Sequence, residues 1–352
     1  MNTTLKHWKE AATLILAAGR GRVTSAHRSL FDYDVLLLKR SGKGGFMPNA
    51  YVFPGGVVDA SDFSSEWLDI FRSFTNSPTF GLRSVKQHLE TRPPIFATDR
   101  LKLGSPIPGE VALRICALRE TFEESALRVN DLCSSELTKW RALVNQNPSN
   151  FIRMCRELQV LPNIWALHEW GNWLTPASRY GTTRFDTAFF ICCLQEIPHT
   201  LQDDKEIERF QWSTPSEILQ SYQAQKLWIA PPQFYELSRL CRFPLLNDLH
   251  NFASQRATAG CEQWMPVVVS NDEHLISLLP GDKLYPVDSP RDSEAAKNTV
   301  PPSKDHQDAS PLHRIVISDR YTLRVQITIT PKYNHVLPVA HSAVSHDSKS
   351  QL

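Results

Sequence analysis

No apolar run in the chain approaches the roughly 18 residues that a membrane-spanning helix needs; the longest, such as residues 11–18, stop well short. Charge of one sign is also lacking. Lys plus Arg number 38 against 37 for Asp plus Glu, so no net field draws in a polynucleotide or an anionic membrane surface. The seven cysteines are an odd set, and none of Cys116, Cys133, Cys155, Cys192, Cys193, Cys241 and Cys261 stands in C-x-x-C spacing. A disulfide framework and a thiolate zinc site are thereby excluded, and a reducing compartment is expected. Few residues precede the first apolar run, and Glu10 is out of place in a mitochondrial presequence, so an unprocessed N-terminus is expected. No internal repeat is present. What remains is an ordinary globular composition, 41% apolar and 21% charged over 352 residues. It suffices for one catalytic core with additions, with no staple required.

Residues 11–18 and 33–39 read as strands. The Gly19-Arg20-Gly21-Arg22 stretch between them lacks the third Gly and the Lys or Ser/Thr of a phosphate loop and reads as a turn. Residues 41–56 are turn-rich and close on Phe53-Pro54-Gly55-Gly56. Residues 59–108 are irregular, with short helices predicted near 66–74 and 82–89, and look inserted. From 110 to 129 the pattern turns helical, with Val111, Ile115, Leu118 and Phe122 on one face. Strands at 185–194, 209–213 and 315–330 and helices at 215–222 and 231–241 are predicted downstream, with His168 near a turn. The Trp and Phe residues of 165–173 and around Phe185 are either core or pocket lining. Residues 288–311, rich in Ser, Pro, Asp and Lys, are expected to be disordered or loosely held. The order of elements gives a mixed α/β domain.

On the predicted long helix, Glu120, Glu123 and Glu124 stand at i, i+3 and i+4 and share one patch, opposite the apolar face. Carboxylates so placed repel one another unless a cation joins them. Mg²⁺ fits, because it takes oxygen ligands from a few carboxylates, water and phosphate, and no His or Cys stands nearby. The bland alternative is a solvated acidic face with Arg119 and Arg128 as partners. The Phe53-Pro54-Gly55-Gly56 turn shifts the balance, since Gly permits close approach and the bare Gly55 carbonyl is a further ligand.

Turn and helix together resemble the Nudix box. In that family the pattern is Gly, five residues, Glu, seven residues, then R-E-U-x-E-E-x-G-U, with U a bulky aliphatic. The segment Arg119-Glu120-Thr121-Phe122-Glu123-Glu124-Ser125-Ala126-Leu127 matches its second half, with Thr121 for an aliphatic and Ala126 for Gly. Gly56 stands 63 positions before Arg119 instead of 14, so the box is split by 49 extra residues, placed at about 57–109. Asp59, Asp62 and the pair Gly109-Glu110 are alternatives for the intermediate acid. The resemblance gives Arg119 the role of tying the glutamates in place.

Upstream, Leu36-Leu37-Leu38-Lys39-Arg40-Ser41 precedes the Phe-Pro-Gly-Gly turn at the spacing of the coenzyme A motif of Nudix enzymes, L-L-T-x-R-[S/A], three residues, R, three residues, G, three residues, F-P-G-G. Leu38, Gly45 and Asn49 depart from it. Arg40, Ser41 and Gly56 are the substrate-binding residues that this implies, Arg40 as an anion contact. Together with Arg184-Phe185-Asp186-Thr187-Ala188-Phe189-Phe190 and the final Ser350-Gln351-Leu352, a relative of the S-K-L address, these features resemble the peroxisomal acyl-coenzyme A diphosphatases of the Nudix hydrolase 19 type.

The resemblance implies a Nudix α/β/α sandwich around a mixed sheet over residues 8–250, with residues 251–352 as a C-terminal extension. It implies Mg²⁺ or Mn²⁺, and hydrolysis of coenzyme A and its thioesters to adenosine 3′,5′-bisphosphate and (acyl-)4′-phosphopantetheine. The peroxisomal matrix, reached through an import receptor, is the implied location. Glu206, ahead of Phe210-Gln211-Trp212, is an extra ligand or base by analogy with the fold, or else a loop charge. Two alternatives stand beside this reading: a pyrophosphohydrolase of NADH or a nucleotide sugar, which the loss of Arg at position 45 favours, and a silent binding module, which would have lost a box glutamate.

Overall fold

The computed structural model describes residues 8–21, 29–42, 47–74, 76, 80, 85–125, 134–176, 183–198, 207–270, 274–286 and 310–339. Gly45, Ala126, Arg128, Glu206, residues 288–309 and Ser350-Gln351-Leu352 lie outside them. Among the described residues no helix is long and apolar enough to cross a membrane.

Two long strands, β1 (Trp8–Gly19) and β2 (Tyr33–Arg40), run antiparallel, and just past the end of β1 Arg20 Nε donates to Asp34 at 2.7 Å. The turn-rich stretch that follows also holds two three-residue strands, β3 (Ala50–Val52) and β4 (Gly55–Val57). Short helices α1 (Trp67–Ile70) and α2 (Pro94–Ala97) punctuate the inserted segment before α3 (Gly109–Ser125), α4 (Ser134–Gln146) and α5 (Asn150–Glu157). Strands β5 (His168–Leu174), β6 (Arg184–Leu194) and β7 (Ile207–Ser213) precede α6 (Pro215–Gln223) and β8 (Trp228–Ile229). Then come α7 (Pro231–Leu240), α8 (Leu246–Ala257) and β9 (Gln263–Trp264).

These nine strands form one mixed sheet, ordered β8-β3-β2-β1-β6-β5-β9, with β4 also pairing β1 and β7 also pairing β2. At its centre β1 pairs parallel to β6 over eleven positions. Both faces are covered, which is why residues 11–18 read as an unbroken apolar run rather than an alternation. Leu14 and Leu16 pack with Leu113 and Ala117 of α3 on one side; Ile15 and Ala17 share a cluster with Leu237 of α7 and Leu249 of α8 on the other. Val111, Ile115 and Phe122 are buried together beneath α1, α4 and α5, the apolar face that their spacing predicts.

Two expectations need correction. No helix occupies the described part of 82–89: the Lys86 amide donates to Thr258 O at 2.8 Å, and the Gln87 side chain bridges Thr91 O and Cys261 O, so long-range bonds replace helical ones. His168 opens strand β5 directly after the single 3-10 turn Ile164–Ala166, near a turn as expected. The single strand predicted at 315–330 is a hairpin, whose turn is made by Asp319 accepting from the Tyr321 amide at 2.7 Å and the Thr322 hydroxyl at 2.9 Å.

That hairpin belongs to a second sheet of four antiparallel strands, β10 (Val267–Ser270), β11 (Leu275–Leu278), β12 (His313–Asp319) and β13 (Thr322–Ile327). The C-terminal region is joined to the large sheet and its helices by polar contacts. His313 Nδ1 donates to Pro280 O at 2.7 Å, which leaves Nε2 to accept from the Tyr235 hydroxyl at 2.9 Å. Tyr222 donates to Arg320 O at 3.0 Å, and Arg239 Nε to Val336 O at 3.0 Å. Burial pushes the His313 imidazole down to about 4 and holds His335 well below its usual value. A depressed imidazole stabilises the fold fully above its unfolded pKa near 6.5 and loses that contribution as pH falls toward 4. The expected result in urea unfolding is a midpoint that falls between pH 6.5 and 4, with about 3 kcal/mol at stake for His313. The fall should be shallower in His313→Gln; a midpoint flat over that window contradicts the assignment.

Candidate active site

The site forms where α3 passes beneath the two glycines of β4. Gly55 pairs with Thr13 and Gly56 with Ala12 on β1. A Cβ at Gly55, whose φ is +153°, would stand 2.4 Å from the Ala12 carbonyl oxygen, so that strand contact requires glycine. A Cβ at Gly56 would stand 2.3 Å from Glu120 Oε2: the missing side chain is the room that the carboxylate fills. The two glycines therefore fail differently when substituted. Gly55→Ala is expected to lower the melting temperature by displacing backbone. Gly56→Ala is expected to keep the fold and lower turnover by moving Glu120; equal losses of stability in both variants would contradict this.

Arg119 organises the patch and is almost wholly buried. Its Nε and Nη2 each lie 2.9 Å from one oxygen of Asp62, its Nη1 lies 2.8 Å from both Glu120 and Glu123, and Nη2 also donates to Val57 O at 3.1 Å. Burial works against the guanidinium's charge, but Asp62 with the glutamates holds it firmly protonated. Of the three candidates for the intermediate acid, it is Asp62, 1% exposed, that the fold brings against Arg119. Asp62 stands six positions after Gly56, the spacing of an uninterrupted box, and Asp59 caps its turn by accepting from the Ser61 amide at 2.8 Å. Glu110 sits at the other end of α3, 3.6 Å from Arg92. The α1–α2 segment between Asp62 and α3 leaves turn and helix in contact.

Glu124 is held from the turn: its Oε2 accepts the Gly55 amide at 2.9 Å. Thr121, where the box has an aliphatic residue, is buried with its hydroxyl bonded to Ala117 O at 2.6 Å, so the polar group costs the helix little. At the end of α3, Arg141 of α4 donates from Nε to Glu123 O at 2.7 Å and fixes the last turn, a contact between two helices that residue spacing does not reveal.

Among the described residues no three His, Cys, Asp or Glu side chains form a ready metal cage; the glutamates are spread among Arg119 and the Gly55 amide. The donor set nonetheless fits a hard divalent ion, being carboxylate oxygen throughout. Burial, opposed by Arg119 and reinforced by Glu123, pushes the Glu120 carboxyl up to about 7. Such a carboxyl gains from an added cation.

Glu120, Glu123, Glu124, Arg119, Gly55 and Gly56 all line a cleft of about 540 Å³, as does Arg40 from the end of β2; Ser41 is not among its lining residues. Asn49, which replaces a motif glycine, has φ +61°, a left-handed conformation that Asn tolerates better than other side chains. Trp173 lines the cleft while donating its indole N–H to buried Glu236 at 2.9 Å, so it is core and wall together. Trp165 packs instead against Phe71 and Phe74 of the insertion.

The family model of the NUDT19 Nudix domain matches residues 8–240 and that of the NUDT19 C-terminal domain residues 268–328. The protein named acyl-coenzyme A diphosphatase NUDT19 of Xenopus laevis is 47% identical over 100% of both chains, and its Gallus gallus counterpart 45% identical over 100% of both. Among solved structures, a Nudix hydrolase from Alicyclobacillus acidocaldarius is 21% identical, covers 69% of this chain and 96% of its own, and superimposes with a TM-score of 0.49. Enzymes of this superfamily generally use divalent metal ions. By its domain models and its full-length relatives, the chain belongs to the NUDT19 family of Nudix hydrolases.

Proposed function

We propose that this enzyme hydrolyses the diphosphate of coenzyme A and acyl-coenzyme A, releasing adenosine 3′,5′-bisphosphate and (acyl-)4′-phosphopantetheine, with Mg²⁺ or Mn²⁺ as its ion. The observation that carries the substrate is the end-to-end match to relatives named acyl-coenzyme A diphosphatase; what supports the chemistry is the glutamate patch in the cleft. Glu120, Glu123 and Glu124 are the residues that would hold the ion. When bound, it supplies charge neutralisation at the phosphoryl oxygens and acidifies water. The chain's own residues do the rest. Arg119 fixes two of the carboxylates and is itself fixed by Asp62, so the patch is pre-set before substrate arrives. Arg40 offers a cation to a substrate phosphate. A glutamate of the same patch takes the proton of the attacking water.

The test is hydrolysis of coenzyme A, decanoyl-coenzyme A, NADH and a nucleotide sugar by the purified protein. Turnover of the two coenzyme A substrates is expected to vanish on chelation with EDTA and to return with Mg²⁺ or Mn²⁺. Cleavage of NADH or the nucleotide sugar alone would keep the Nudix chemistry and sink the substrate assignment.

A further inference from the structure

The large sheet lays a floor across the cleft that changes character from one side to the other. Val57 on β4, Ala11 on β1, Thr187 on β6 and Trp173 on β5 are successive cross-strand partners and so lie in one row on one face. Three strand spacings of about 4.8 Å separate the glycine end of that row from Trp173, about 14 Å in all. The glutamates lie at the β4 end, and Arg40 lines the cleft from β2, on the side of β1 away from β6 and β5. On the opposite side the floor is aromatic, with Phe189 beside Thr13 in register and Phe185 two residues before Thr187.

Above this aromatic end stands the C-terminal sheet. From β9, which pairs with β5 at Trp173, the chain passes through Pro266 directly into β10. Val268 and Ser277 are register partners, Ser277 is opposite Ile315, and Ile317 shares the face of Ile315. Ile315 is buried in the core shared with the large sheet, whereas Val269, Ile276 and Leu278 on the reverse face form a separate cluster. Val268, Ser277 and Ile317 line the cleft, and Val268 and Ile317 are only half-buried, so apolar surface is left facing its interior.

We infer that this wall is an acyl subsite: the acyl chain of an acyl-coenzyme A lies between the C-terminal sheet and the aromatic floor, while the 3′-phosphate end lies toward Arg40. The inference rests on the coenzyme A reading above. Apolar surface of this kind takes a hydrocarbon chain and offers nothing to a nucleotide phosphate; the cation on the other side supplies the contrary preference. The C-terminal sheet thereby sets acyl selectivity without touching the diphosphate.

Ile317→Trp and Val268→Trp, made singly, fill the subsite from two strands. In each, kcat/KM for decanoyl-coenzyme A is expected to fall about tenfold while that for free coenzyme A stays within about twofold of wild type. Equal changes for both substrates, or no change for decanoyl-coenzyme A, would overturn the inference. A second arm needs no variant. Wild-type protein held in EDTA is irradiated with a decanoyl-coenzyme A carrying a diazirine at its chain end, and label is expected on peptides from 263–286 or 310–327; label confined to other segments overturns the inference. A wild type that hydrolyses neither coenzyme A nor decanoyl-coenzyme A fails the proposed function and the subsite with it, whereas an active wild type with unselective variants fails the subsite alone.

Discussion

Glu124→Gln is expected to lower kcat for coenzyme A by about a thousandfold, the loss appropriate to a group that holds the ion or moves the proton. The fold should survive it. The Glu124 carboxylate accepts the Gly55 amide at 2.9 Å, and the amide oxygen of Gln accepts the same bond, so the turn keeps its partner while the site loses a negative charge. Unchanged melting temperature with collapsed turnover is therefore the expected pair of results. Near-normal turnover would remove Glu124 from the chemistry, and a large drop in melting temperature would make its role structural.

Arg119→Met is expected to do the converse and damage stability first. Arg119 and Asp62 are about 2% and 1% exposed and joined by two bonds of 2.9 Å. Removing one partner of such a pair leaves the other charged and buried, at a cost of about 3–5 kcal/mol. Glu120 and Glu123 lose their shared partner at the same time. Activity should fall even at temperatures where the variant is folded. Asp62→Asn combined with Arg119→Met should recover part of the stability and none of the activity, because the stranded charge is gone but the glutamates stay loose. Chemical denaturation of the two variants beside wild type checks this; an Arg119→Met protein as stable as wild type would mean that the buried pair does not anchor the box.

The helix and its two faces were legible because an α-helix repeats at a fixed period: Val111, Ile115 and Phe122 had to lie together, and Glu120, Glu123 and Glu124 had to lie opposite. The long strands were legible for a different reason: buried on both faces of a covered sheet, they read as unbroken apolar runs. What escaped depends on contacts far apart in sequence. Asp62 was not singled out from Asp59 and Glu110, although its place six positions after Gly56 was countable in the sequence; the folded chain adds its contact with Arg119 across the insertion. Arg141 is an ordinary helix residue until α4 is seen against the end of α3. The hairpin at Asp319 was hidden because Arg320 and Tyr321 carry none of the Gly, Asn or Pro that mark most turns; the Asp319 side chain makes the turn instead. The C-terminal strands are short, and only their pairing shows that one face closes over the cleft.

The most direct measurement is the mass of the products formed from coenzyme A by the wild-type protein with Mg²⁺. Adenosine 3′,5′-bisphosphate and 4′-phosphopantetheine in equal amounts, absent when Glu124→Gln is used, are the expected result. Coenzyme A left intact by a folded, metal-loaded wild type, or cut anywhere but in its diphosphate, would contradict the account.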